Sequence, residues 1–137
     1  MYRFVFTERA PISYNSWRRA DKAGYKKMLC DALDRDNKGR KKYNISDELY
    51  GVIYYFHKNI SRRDVDNISK PIWDCLNGYL YDSDEQLKIT VNGILDIASF
   101  EYIKANMAKL DHQMVHKLYK AVGNKEHVLY IECGRVG

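Results

Sequence analysis

LYGVIYYFHKNISRRDVDNISKPIWDCLNGYLYDSDEQL, residues 49–87, holds the succession of patterns that decides the fold. Its first nine residues, Leu49–His57, are nearly all β-branched or aromatic, as in a central strand buried on both faces. Further on, Ile68, Ile72, Leu76 and Tyr79 recur at helical spacing, and Gly78 supplies a stop. A proline deep inside a helix costs about 3 kcal/mol. Pro71 therefore predicts a helix that begins just ahead of it, with Asp66, Asn67 or Ser69 as the cap. Leu87, Ile89 and Val91 then alternate with Lys88, Thr90 and Asn92, the period of a second strand.

Working outward, Tyr2–Thr7 alternates in the manner of a first strand, followed by a turn at Pro11 and Asn15. From Ser16, the positions Trp17, Ala20, Tyr25, Met28, Leu29, Ala32 and Leu33 predict one helix displaying Arg18, Arg19, Lys22, Lys26 and Lys27. Asp34–Asn44 contains Gly39 and little that is apolar, so it reads as an exposed basic loop, either solubilising or contacting a polyanion. Asn92-Gly93 signals a tight turn into Ile94–Ile97. Phe100, Ile103, Met107, Leu110, Met114, Leu118 and Val122 step by three and four, an amphipathic helix over 100–122. Val128–Cys133 is a last strand. The class this implies is α+β, a small mixed sheet packed with helices, with residues 1–137 as a single domain.

A chain of 137 residues can bury one core and not two. No run reaches the ~20 apolar residues of a membrane span, and MYRFVFTERA lacks the apolar core of a signal segment, so a cytoplasmic, intracellular protein is expected. Cys30, Cys75 and Cys133 show no C-x-x-C spacing and read as reduced, buried thiols. The formal charge of +5 is uneven: residues 1–63 carry 15 Lys/Arg against 7 Asp/Glu, and the remainder is net acidic. Such a division suits a polyanion held by one part and cations held by the other, although an ordinary solvated surface has the same composition.

Asp64 and Asp66 are one residue apart, so on extended backbone both side chains project to one side. Neighbouring carboxylates repel unless a cation neutralises them. Mg2+ takes a few carboxylate oxygens and keeps positions for water and phosphate. Asp84 is the expected third ligand, because a strand from Leu87 pairing beside the end of the strand at His57 would bring it opposite Asp64. The plainer account of D-x-D is a surface capping motif. Lys70 stands four residues from both Asp66 and Asp74, either as the rung of a salt-bridge ladder or as a cation for a charged phosphate. Arg62 and Arg63 precede the pair and suit flanking phosphates. His112 and His116 read as a surface pair, and Cys75 as packing.

Asp64, Asp66, Asn67, Lys70-Pro71, Asp74, Leu76-Asn77-Gly78 and Asp84 followed by Gln86-Leu87 together resemble the RusA family of Holliday junction resolvases. Pro11, Ser13 and Asn15 resemble that family's opening more weakly. Two features depart from the pattern: Ser83 stands where an acidic residue usually precedes the last aspartate, and the helix at 100–122 is long. The resemblance implies a homodimeric α+β endonuclease with Asp64, Asp66 and Asp84 holding Mg2+ (or Mn2+) and Lys70 as the catalytic lysine. It implies resolution of four-way junctions in DNA recombination and repair. The branched double-stranded DNA would be gripped by Arg18, Arg19, Lys26, Lys27, Arg62 and Arg63. The rival expectation is a non-catalytic nucleic-acid-binding module of the same fold in a larger assembly. A small-molecule phosphohydrolase would have no use for the basic half.

Overall fold

A computed structural model describes residues 1–57, 65–96, 112–125 and 127–137; the side chains of His57, Val65, Asp66, Leu95, Asp96 and His112 are outside that description. Strands β1 (Tyr2–Phe6), β2 (Leu49–His57), β3 (Leu87–Asp96) and β4 (His127–Arg135) form one sheet in the order β1-β4-β2-β3. The β1–β4 and β4–β2 pairs are antiparallel, and β2–β3 is parallel. The sheet is thus mixed, as expected for the α+β class, with β2 in its interior.

Period-two alternation divides the sheet's side chains between two layers. Phe4, Phe6, Leu49, Ile53, Tyr55, Leu129 and Ile131 meet helices α1 (Lys22–Asp36) and α2 (Val65–Leu76) on one face. Val5, Phe56, Val128 and Tyr130 meet Met114, Leu118 and Val122 of α3 (His112–Asn124) on the other. These three α3 residues belong to the stripe foreseen over 100–122; the earlier part of that stripe, residues 97–111, lies outside the described residues.

Several expectations need correction. The helix foreseen from Ser16 is two elements, a 3-10 helix over Tyr14–Arg19 and then α1. Asp21 separates them, its Oδ1 accepting the Gly24 N–H at 3.0 Å as the cap of α1. The basic stretch 34–44 is less open than its composition suggests. Its first three residues are the end of α1. The Arg40 side chain is only 9% exposed, pairing with Asp34 at 3.0 Å and lying 4.3 Å from the ring centre of Tyr79. Tyr43 is buried, its hydroxyl donating to the Cys133 carbonyl at 3.0 Å.

Pro71 is the seventh residue of α2, not a first-turn residue, so the three proposed caps are inside the helix. Burial of Ile68, Ile72, Leu76 and Pro71 itself against the sheet outweighs the lost N–H. Gly78 ends the helix as expected, at φ 86°, donating to the Tyr81 carbonyl at 2.7 Å. No turn interrupts β3 at Asn92-Gly93. Pairing with β2 over its whole length gives those residues ladder partners that outweigh the local turn preference.

Asp36 locks the end of α1 to both neighbours. Its Oδ2 accepts the Val5 N–H at 3.0 Å and its Oδ1 the Arg35 Nε at 3.2 Å, and Lys117 of α3 pairs with it. Burial opposes its charge, but Lys117, the Val5 amide and Arg35 together hold the carboxyl below the ordinary value of about 3.9. A depressed folded-state pKa gives stability that is present above the unfolded value and lost as pH falls through the folded one. Asp36→Asn is expected to cost about 2–3 kcal/mol in urea unfolding at neutral pH. The gap from wild type should close below about pH 4, and a pH-independent difference would contradict this role.

Candidate functional site

The polar side of α2 forms the site. Residues 66, 70, 74 and 77 step by four, four and three, so they follow one another along one face, opposite Ile68, Ile72 and Leu76. Asp66 is in the first turn, one turn ahead of Lys70; Asp64, Arg62 and Arg63 lie outside the described residues. Lys70 is exposed, its ammonium 5.6 Å from the ring centre of Tyr14. Asp74 is half-buried, and its carboxyl is pushed above the ordinary range, first by burial and then by Asp84, with Lys70 and Lys22 acting against the shift.

Asp84 reaches this face by a route different from the one expected. In the parallel β2–β3 register Leu87 pairs with Leu49 and Asp96 with His57. The turn that carries Asp84 is consequently at the start of β2, not at its end. It meets the C-terminal part of α2, where Asn77 Nδ2 donates to Asp84 Oδ1 at 3.1 Å. Residues 66 and 77 are about 16 Å apart along a helix axis. Lys70, Asp74, Asn77 and Asp84 are therefore the group brought together, with Asp66 at the far end of the same stripe.

The turn itself is tightly built. Gln86 is only 4% exposed. Its Oε1 accepts the N–H groups of Asp82 and Ser83 at 2.8 and 3.1 Å, and its Nε2 donates to the carbonyls of Asn44 and Asp47 at 2.7 and 3.2 Å. Ser83 Oγ accepts the Glu85 N–H at 3.3 Å, so a serine at this position caps the short 3-10 helix Asp84–Gln86. Asn77 and Gln86 stood in the sequence motif without a role, and both hold Asp84 in place. Tyr14 was missed entirely; an aromatic three residues before Trp17 was its only signal.

Basic groups border the stripe unevenly. Lys22, on the neighbouring α1, acts on Asp74, and Lys26 on Cys75 of α2. Lys27 is engaged with Asp31 at 2.8 Å. Arg18 and Arg19 are exposed on the 3-10 helix, with no acidic partner among the described residues. Burial pushes the Cys75 thiol up to about 12 and Cys30 to about 11, so neither is a nucleophile near neutral pH. Among the described residues no three Asp, Glu, His or Cys side chains converge on one point.

Residues 35–96 match the family model of the endodeoxyribonuclease RusA. The matched span runs from the last turn of α1 through β2 and α2 to the end of β3, and so contains the whole acidic stripe and the turn of Asp84. No curated protein matches the chain. The matched family is one of endodeoxyribonucleases. Among the described residues no helix is long and apolar enough to cross a membrane.

Proposed function

We propose that the chain is a divalent-metal-dependent endodeoxyribonuclease that resolves four-way junctions in recombination and repair, working as a homodimer. One observation carries this reading: Lys70 stands exposed on a helix face between an acidic first turn and the Asp74–Asn77–Asp84 group. A non-catalytic module would have no need to set a cation beside a half-buried carboxylate, Asp74, whose charge a second one, Asp84, disfavours.

The donor set fits a hard cation. Asp84 disfavours the charge of Asp74, and all the donors are oxygens, which suits Mg2+ or Mn2+ better than zinc. We assign Asp64, Asp66 and Asp84 to metal on the strength of the sequence motif, with Asp74 and Asp84 as the carboxylates this structure sets near one another. When bound, the ion would polarise the scissile phosphate and lower the pKa of a bound water. Lys70 would place its ammonium beside the phosphoryl oxygens where negative charge develops. Asn77 would fix the Asp84 carboxylate by holding one oxygen. Arg18, Arg19, Lys26 and Lys27 would grip the arms of the junction, with Arg62 and Arg63 on the phosphates nearest the cut. A dimer would present two such faces to a substrate that is itself twofold symmetric.

A metal panel tests the cofactor. Cleavage of a labelled four-way junction is expected with Mg2+ or Mn2+ and none with chelator. Activity supported by Zn2+ and not by Mg2+ would refute the oxygen-donor assignment.

A further inference from the structure

Tyr14 is exposed to 47%, and its ring belongs to neither side-chain core. Trp17, one 3-10 turn later and eclipsed with it, packs edge-on against Tyr25 at 5.9 Å and 71°. The fold thus accounts for the second aromatic of this short helix and not for the first. Tyr14 instead borders the acidic stripe, with the Lys70 ammonium 5.6 Å from its ring centre. The residues that follow it in the chain, Asn15 and Ser16, line a groove of about 1010 Å³ together with Arg9, Arg18 and Arg19. Within that lining three arginines face a single acid, Asp21, whose Oδ1 is committed to the Gly24 amide.

An open basic groove leading to an exposed ring and then to a lysine has the parts of a site for single-stranded nucleic acid. The arginines follow the backbone, and the ring offers a face to one base. In continuous duplex every base is already stacked and paired, and extracting one costs a few kcal/mol; the cost is least for a base already unpaired, as where the arms of a branch open. We infer that Tyr14 is a specificity-determining residue. It stacks the unpaired base next to the scissile phosphate, while the groove over Arg9, Arg18 and Arg19 takes the strand leading to it. The inference rests on the nuclease reading above and adds the means by which branched DNA is told from linear duplex.

The test uses the full chain, a four-way junction carrying 2-aminopurine at the branch point, and a linear duplex of equal length. Binding is followed by 2-aminopurine quenching in chelator, and cleavage separately in Mg2+. Wild type is expected to quench the branch-point base. Tyr14→Ala should lose that quenching and about tenfold or more of junction affinity, with duplex affinity and melting temperature nearly unchanged. Tyr14→Phe should restore both, and Tyr14→Leu neither. Unchanged quenching and junction preference in Tyr14→Ala would overturn the inference, as would equal rescue by Leu, which would reduce Tyr14 to packing. Wild type that quenches but does not cleave would defeat the nuclease reading and leave the stacking role standing. Normal junction cleavage and preference by Tyr14→Ala would do the reverse.

Discussion

Asp64→Asn, Asp66→Asn and Asp84→Asn are each expected to abolish junction cleavage while preserving or tightening junction binding. Asparagine keeps the shape of the side chain and removes the charge that holds a cation. The metal's share of transition-state stabilisation is several kcal/mol, about a thousandfold in rate. Each substitution also removes a negative charge facing phosphates, which favours binding. Single-turnover cleavage and a gel-shift titration in chelator check the two halves. Asp84→Asn is the most telling of the three, because Asp84 meets the stripe at its Asn77 end, away from the first turn of α2. Wild-type cutting by Asp84→Asn would remove that residue from the ligand set and leave it a partner of Asp74.

Lys70→Ala separates the two readings of the lysine. As a rung of a salt-bridge ladder it would contribute a few tenths of a kcal/mol to stability and little to activity. Its ammonium favours the charge of Asp74, as a rung would, and also stands exposed 5.6 Å from the ring centre of Tyr14, where a phosphate could meet it. Stabilising charge in the transition state is worth about a hundredfold or more in turnover. We expect Lys70→Ala to lose that much, with melting temperature and junction affinity nearly intact. Lys70→Arg is not expected to restore it, since a planar guanidinium does not replace a compact ammonium at one oxygen. Near-normal cutting by Lys70→Ala would establish the ladder.

Most elements were legible because they are local. The apolar run of Leu49–His57, the face of Ile68, Ile72 and Leu76, and the stop at Gly78 each follow from period and turn chemistry within a dozen residues. The register of β3 was not legible. Alternation tells which side chains share a face, but not whether Leu87 lies beside the start or the end of β2. That choice decides where Asp84 goes, which is why it is carried to the start of β2 and not, as expected, to its end. The Asn92-Gly93 signal misled for a related reason, since a local turn preference yields to a ladder partner far away in sequence. The division at Asp21 was hidden because Trp17 and Tyr25 suit one helix or two equally well. Asn77 and Gln86 act through hydrogen bonds to a turn and to the loop at 44–47, which no periodicity reports.

The most direct test of the central claim is single-turnover incubation of the purified chain with a four-way junction and a linear duplex, both end-labelled, in Mg2+. The account predicts paired nicks across the branch point of the junction, leaving 5′-phosphate and 3′-hydroxyl ends, with the duplex left whole. Tight junction binding without cleavage in Mg2+ or Mn2+, or equal cutting of both substrates, would contradict it.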